Sequence, residues 1–353
     1  MVKTKIVQVD PRNLDEAILK EAGHILKNGG LVILPTETVY GIAANQGDAH
    51  AVERLYEIKQ RPKDKPFSLH IDSQGALEHA AVSVTPAAYR VIDKFWPGPL
   101  TVILKSKNGG TIGIRMPDNE IALKIIRFSG VRVVCPSANI SGSAPPVNFF
   151  DAIKDLNGKV DFALDAGETT LKKESTIIDF SSEPYRIVRE GAIPGDEILS
   201  VALRKKVLFV CTGNSCRSVM AEWLFKKKLR ELGRSDVDVQ SAGVMPVAGM
   251  GATEATRIVL AREGIDASSH RAARITRDML NKADLILVME RIHEESILGI
   301  APQVKNRIFL LKEFARMGTS DLNVPDPIGS SVEFYQETMN VIKEAVSKVA
   351  EII

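Results

Sequence analysis

The eight residues Cys211-Thr-Gly-Asn-Ser-Cys-Arg-Ser218 limit what this 353-residue chain can be more than any other stretch. They follow the apolar run Val207–Val210 and precede a helical pattern, Val219–Phe225. Strand, tight loop and helix start, in that order, make backbone N–H groups converge on an oxyanion. The loop itself is Thr212, Gly213, Asn214, Ser215 and Cys216, with Ser218 just beyond; Arg217 lies close enough to fold back and clamp two phosphate oxygens. A positive surrounding of this kind favours the thiolate of Cys211, the form that attacks phosphorus. Phosphoryl transfer through cysteine also needs a proton donor for the leaving group. Asp326, stiffened between Pro325 and Pro327, is the candidate.

On these residues, the segment 206–353 resembles the low-molecular-weight protein-tyrosine-phosphatase family, with Ser241-Ala242-Gly243 after a predicted strand extending the match. The resemblance implies a parallel sheet flanked by helices, Cys211 as nucleophile, Asp326 as general acid, a phosphoprotein substrate and no cofactor. Two features bear on the substrate. Ile328 and Gly329 follow the Asp-Pro pair, and Val244–Met250 contains no aromatic residue, so a phosphotyrosine ring would lack stacking walls. Ser215 stands where tyrosine-directed members carry a bulky aliphatic. Both features resemble the protein-arginine-phosphatase branch, and phosphoarginine is the expected substrate over phosphotyrosine. Arsenate reductases share the cradle but need further cysteines after it; the chain has Cys135, Cys211 and Cys216 only. Cys216 has two readings, a small packing residue or a thiol that traps an oxidised Cys211 as a disulfide. Free thiols point to a reducing, cytoplasmic setting.

The first half requires its own account. The length suggests two domains, each with its own core. No apolar stretch approaches the ~20 residues of a membrane span, and a net charge of +2 does not announce DNA binding. Helix and strand patterns alternate throughout, which argues for α/β in both halves. Gly191–Asp196 punctuates the end of the first pattern, placing domains at 1–197 and 206–353 with a linker at 198–205. Four segments of the first half put polar residues at the ends of apolar runs: Pro35–Gly41, Lys59–Pro66 leading to His70, Thr111–Pro117, and Pro136–Gly142. Such ends are where an α/β sheet binds ligands. Arg115, inside an apolar strand, needs a partner or an anion.

These segments, with Ser175–Asp179 and Ile187–Gly191, resemble the YrdC-like L-threonylcarbamoyladenylate synthases, whose K-x-R…S-x-N signature appears as Lys59-Gln60-Arg61 and Ser137-Ala138-Asn139. The resemblance implies a twisted open α/β sheet and a reaction of L-threonine, bicarbonate and ATP, carried with Mg²⁺. The products are threonylcarbamoyl-AMP and pyrophosphate, and transferase proteins pass the group on to tRNA, itself a further candidate contact. Lys59, Arg61, Lys63, Lys65, Thr111, Ser137, Asn139 and Arg189 are then expected on ATP, and Thr36, His70, Arg115 and Ser175 on threonine. No protein side chain is expected to ligate a metal. The other reading is an active phosphatase fused to a nucleotide- or RNA-binding module without synthase turnover.

Overall fold

A computed structural model describes residues 2–353. The chain divides into two compact units: residues up to Val84 together with Arg90–Ala202, and Leu203–Ile353 together with Thr85–Tyr89. Both units are α/β, as the alternating patterns predict. The segment expected as a linker, 198–205, is helical through Ala202, and the next strand begins at Lys205. Among the described residues no helix is long and apolar enough to cross a membrane.

The first unit is built on a mixed sheet, eleven-stranded among the described residues. Its apolar run is buried on both sides. Val32 and Leu34 face one cluster with Leu19, Leu26 and Ile125, whereas Leu31 and Ile33 face another with Ala51 and Leu55. Alternation along one strand thus serves two cores. The helix Glu16–Lys27 is capped by Asp15, whose side chain accepts from Ala17 N, and buries Leu19, Ala22, Gly23 and Leu26 along one stripe. A Cβ at Gly23 would lie 2.9 Å from the backbone of Phe128, so only glycine permits the close approach of the helix Glu120–Ser129.

One consequence of strand register matters most. His70 is the partner of Arg115, Arg115 of Thr101, Thr101 of Ile177 and Ile177 of Arg189. Registered partners share a face, so five residues far apart in sequence form one row, about 19 Å long at ~4.8 Å per strand. An isolated bridge between Gly41 and Ser137 brings two further loops to the same region.

The second unit has a four-stranded parallel sheet in the order Val237–Gly243, Lys205–Cys211, Leu285–Val288, Ile308–Leu310. Val207, Phe209 and Cys211 point to a core shared with Val219, Met220, Met339 and Ile342. Leu208 and Val210 point the other way, towards Ile286, Leu280 and Ile297. A parallel sheet covered on both faces leaves its carboxyl edge open for ligands, and Cys211 ends a strand there.

Candidate active sites

In the second unit, the loop after Cys211 turns into the helix Arg217–Glu231, whose N-cap, Cys216, offers no side-chain hydrogen bond. Its first N–H groups therefore stay free for an anion. Asn214, with φ of 50°, holds the turn in the left-handed region. Every polar group of Asn214 is used: Nδ2 donates to Ser218 Oγ (3.0 Å) and Ser241 Oγ (2.8 Å), and Oδ1 accepts from Ala273 N (2.9 Å). Its backbone O bonds His270 Nε2 at 2.8 Å, and its N–H points to Cys211 Sγ at 3.3 Å. Since Ser218 Oγ accepts from Asn214, its own proton is available to Cys211 Sγ, 3.0 Å away. Two donors on one sulfur suit a thiolate. Ser241 in turn donates to the buried Glu222 at 2.5 Å.

The loop leaves no room beside it. A Cβ at Gly243 would sit 2.6 Å from Thr212 O and 3.0 Å from Asn214 N. Gly243→Ala should therefore deform the cradle, lowering kcat/KM for chemistry at Cys211 at least about tenfold and stability by about 1–3 kcal/mol. Unchanged kinetics and an unchanged melting temperature would show that the loop can yield.

Arg217 is only 2% exposed at its side chain and is held by two carboxylates. Nη1 donates to Glu290 Oε2 (2.5 Å) and to Val324 O (3.0 Å); Nη2 donates to Asp326 Oδ2 (2.5 Å). Asp326, expected from its prolines, thus stands beside the arginine expected to clamp phosphate. Cys216 lies 3.4 Å from Tyr335 OH and 3.5 Å from Thr253 Oγ1, and all three cysteines are free. Ser215 lies 3.6 Å from Cys216 Sγ and is half-buried. Next to the loop, Met245, whose N–H donates to Thr212 O, and Ile328, whose N–H donates to Asp326 Oδ1, are 72% and 59% exposed, an aliphatic rim at the positions where the sequence lacks aromatic residues.

Two residues escaped the sequence reading, Glu290 and His293. Glu290 caps the helix Arg291–Ile300, and His293 Nδ1 accepts the Glu290 N–H at 3.1 Å while Nε2 lies 2.9 Å from Thr212 Oγ1. An acid and a histidine three apart at a helix start look like ordinary capping until the fold lays them against the loop. Burial, then the Arg217 charge, pushes the His293 imidazole down to about 4. The native state thus binds its proton less readily than the unfolded chain does. That contribution to stability is present above pH ~6.5 and is lost as pH falls towards 4, by roughly 2–3 kcal/mol. Unfolding at pH 7 and pH 4.5 should show His293→Gln losing correspondingly less than the unaltered chain. An equal loss would contradict the neutral, buried imidazole.

In the first unit, the row from His70 to Arg189 lines a cavity of about 140 Å³ that Thr36, Arg61, Ser137 and Ser175 also reach. Arg115 is 5% exposed, and its Nη2 donates to Glu37 Oε1 (2.7 Å) and Thr38 Oγ1 (2.8 Å). The buried charge thus has a protein partner, Glu37, yet Arg115 Nε, Glu37 Oε2 and His70 Nδ1 are buried without one. Three orphaned polar atoms beside one cavity mark groups that a ligand-linked rearrangement would satisfy. Burial, then the Arg115 charge, pushes the His70 imidazole down to about 3, so it is neutral. Thr101 Oγ1 pairs with Ser175 Oγ at 2.9 Å, while Arg189 Nη2 donates to Ser175 O (2.8 Å) and Nη1 to Glu174 (2.5 Å). Thr36 Oγ1 donates to Val39 O at 2.6 Å, closing its loop against the cavity.

Other expected residues are placed differently. Thr111 is exposed and pairs with Lys105. It shares a strand with Arg115 but lies four residues, about 13 Å, up the hairpin. Thr101, opposite Arg115, takes the place in the row. Lys63 pairs with Glu53 at 2.6 Å and is 70% exposed, and Lys65 is exposed; neither lines the cavity. Lys59 is buried and turned onto two carbonyls, Ser137 O (2.5 Å) and Asn139 O (2.8 Å). A buried ammonium needs acceptors, and burial lowers this one to about 8. The paired K-x-R and S-x-N motifs are therefore one unit: the lysine holds the second loop. Asn139 Nδ2 donates to Ile140 O and Ser143 O within that loop. Arg61 donates to Lys65 O and Pro66 O and lies over the Phe67 ring. Cys135 is also at the cavity wall, its thiol pushed up to about 12 by burial.

Residues 24–191 match the Sua5/YciO/YrdC family model, described as telomere recombination, and residues 206–353 match that of the low molecular weight phosphotyrosine protein phosphatases. The chain is 40% identical over 207 residues to the threonylcarbamoyl-AMP synthase of Pyrococcus abyssi, covering 56% of this chain and 61% of that protein. With the Bacillus subtilis enzyme the share is 58%, so the chain spans about three fifths of these relatives' length. It is 38% identical to a putative threonylcarbamoyl-AMP synthase of Methanocaldococcus jannaschii, covering 55% of this chain and 96% of that protein. Its second half is 33% identical to the protein-arginine-phosphatase of Geobacillus stearothermophilus, over 41% of this chain and 94% of that one. The crystal structure of P. abyssi Sua5 complexed with L-threonine superposes with a TM-score of 0.55 at 27% identity, over 87% of this chain and 99% of that one. The chain belongs to the Sua5/YciO/YrdC family in its first half and to the low-molecular-weight phosphotyrosine protein phosphatase family in its second.

Proposed function

We propose that this is a bifunctional enzyme whose two units are two catalytic domains. The first would make threonylcarbamoyl-AMP from L-threonine, bicarbonate and ATP for the modification of tRNA by partner transferases. The second would dephosphorylate proteins, phosphoarginine before phosphotyrosine, in the cytoplasm. For the first, the row of His70, Arg115, Thr101 and Arg189 along one cavity carries the reading. Arg115 Nε faces no protein partner and suits the threonine carboxylate, with Thr36, His70 and Ser175 around it. Arg61, Arg189, Ser137 and Asn139 suit the nucleotide, and Lys59 holds the loop that presents the last two. The threonine amine, as the free base, adds to the bicarbonate carbon and water leaves, giving a carbamate. A carbamate oxygen then attacks the α-phosphorus, and the bond to pyrophosphate breaks. Positioning and charge neutralisation supply the catalysis. Among the described residues the carboxylate lining the cavity, Glu174, is paired to Arg189, Glu37 is taken up by Arg115, and no cluster of three metal-binding side chains occurs. Mg²⁺ fits here as an ion carried by ATP phosphates and water.

For the second, the cradle of Cys211, Asn214 and Arg217 with Asp326 at its mouth carries the reading. Cys211 Sγ bonds phosphorus as the P–O or P–N bond breaks, and Asp326 protonates the leaving group. Water then attacks the phosphocysteine, gives a proton to Asp326 and releases phosphate and the thiolate. The aliphatic rim, Ser215 and the likeness to an arginine phosphatase support phosphoarginine. The test supplies the full chain with phosphoarginine and phosphotyrosine peptides, and separately follows pyrophosphate release with threonine, bicarbonate and ATP. Pyrophosphate release indifferent to threonine would refute the synthase reading. Faster phosphotyrosine turnover would refute the substrate preference.

A further inference from the structure

The hydroxyl of Thr212, an exposed residue of the cradle loop, is met by two side chains. Its main chain is fixed, because the carbonyl accepts from Met245 N at 3.0 Å and the site of Gly243 admits no larger residue beside it. The side-chain oxygen lies 2.9 Å from His293 Nε2 and 3.5 Å from Arg217 Nη2. The histidine tautomer follows from its other nitrogen. Nδ1 accepts the Glu290 N–H and so carries a lone pair, which in a neutral ring puts the proton on Nε2. His293 therefore donates to Thr212. Arginine can only donate. Both partners of Thr212 Oγ1 are donors, and its own O–H finds no acceptor among the described residues. Arg217 Nη2, the neighbour on its open side, is the nitrogen that also reaches Asp326. A phosphoryl group displacing Asp326 from that nitrogen would bring acceptor oxygens to the Thr212 hydroxyl.

Resting on the phosphatase reading above, we propose that Thr212 Oγ1 is a further donor to the transferring phosphoryl group, with neutral His293 as its positioning residue and Glu290 fixing His293. The donor adds to the backbone N–H groups and Arg217. It acts where charge gathers in the transition state, which is where one donor has its largest effect on rate. The depressed pKa of His293 agrees with the donor role, since it keeps the ring neutral through the working pH range.

The test uses the full chain, with p-nitrophenyl phosphate as substrate and orthovanadate as inhibitor. Thr212→Val keeps the shape and removes the hydroxyl; Thr212→Ser restores it, and Thr212→Ala provides a second deletion should valine fold poorly. The deletions should lower kcat/KM by about 10- to 100-fold and weaken vanadate by a similar factor, while serine stays within about threefold of the unaltered chain. His293→Gln added to Thr212→Val should cost little more, because the histidine acts through the threonine. Valine with unaltered kinetics would overturn the proposal. So would serine failing as badly as valine with vanadate affinity unchanged, since that pattern belongs to packing. An unaltered chain that hydrolyses neither this ester nor phosphopeptides would refute the phosphatase reading instead.

Discussion

Cys211→Ser should abolish phosphatase turnover, by at least about four orders of magnitude, while threonine-dependent pyrophosphate release continues. The size of the effect follows from the surroundings of the sulfur. Cys211 is 3% exposed, and the donors on it, Asn214 N–H and the Ser218 hydroxyl, are arranged for an anion. A serine oxygen would fit the same space, but its proton is far harder to remove than a thiol's, and its neighbours there, the Asn214 N–H and the Ser218 hydroxyl, are donors rather than bases. Folding should be preserved, because the strand, the left-handed Asn214 and the Arg217 contacts do not depend on the sulfur. The cradle should still bind phosphate or vanadate. A serine variant that turns over at a tenth of the normal rate would mean that Cys211 is not the nucleophile. Loss of both activities together would mean that the two units do not work as separate domains.

What could be read from the sequence was the chemistry that lies within a few residues. The loop from Cys211 to Ser218 is local, so its strand, turn and helix start are visible in order, and its anion-binding purpose follows from residue types alone. Two prolines mark Asp326 in the sequence, and the fold sets it against Arg217. The two-sided burial of Leu31–Leu34 goes with an unbroken apolar run. Register was not legible. That Thr101 stands opposite Arg115 depends on how the hairpin Leu100–Arg115 pairs, and Thr111, at the start of the Arg115 strand itself, is carried four residues away from the row. The loop contact of Lys59 was hidden for a related reason: a lysine beside an arginine suggests phosphate, whereas its burial and the two carbonyls it meets come from a loop some eighty residues on. Glu37, the partner of Arg115, lies inside a quoted motif and still gave no hint, since only the fold brings it within 2.7 Å. His293 and Glu290 were missed because capping and site-building look alike before the helix is placed.

Arg115 offers the second large effect, with a design that separates its two roles. Arg115→Ala removes the grip on the threonine carboxylate proposed above and also leaves Glu37, 5% exposed, as a buried carboxylate without its cation. Breaking a buried pair in this way costs about 3–5 kcal/mol, so the single variant should melt early and lose threonine use for both reasons. Arg115→Lys is no remedy. One ammonium cannot serve Glu37, Thr38 and a ligand carboxylate as the planar guanidinium does. The informative variant removes both charges. Arg115→Met with Glu37→Leu leaves no ion stranded, and replacing a buried pair by apolar residues of similar volume is often neutral or stabilising. That double variant should recover most of the melting temperature of the unaltered chain. Its KM for threonine should remain raised by about 10- to 100-fold, since a charged hydrogen bond to the carboxylate is gone. Recovered stability with normal threonine dependence would refute the assignment of Arg115 to the substrate and leave it a structural ion. Recovered stability with threonine use still lost is the outcome that an ion pair built only for folding would not produce.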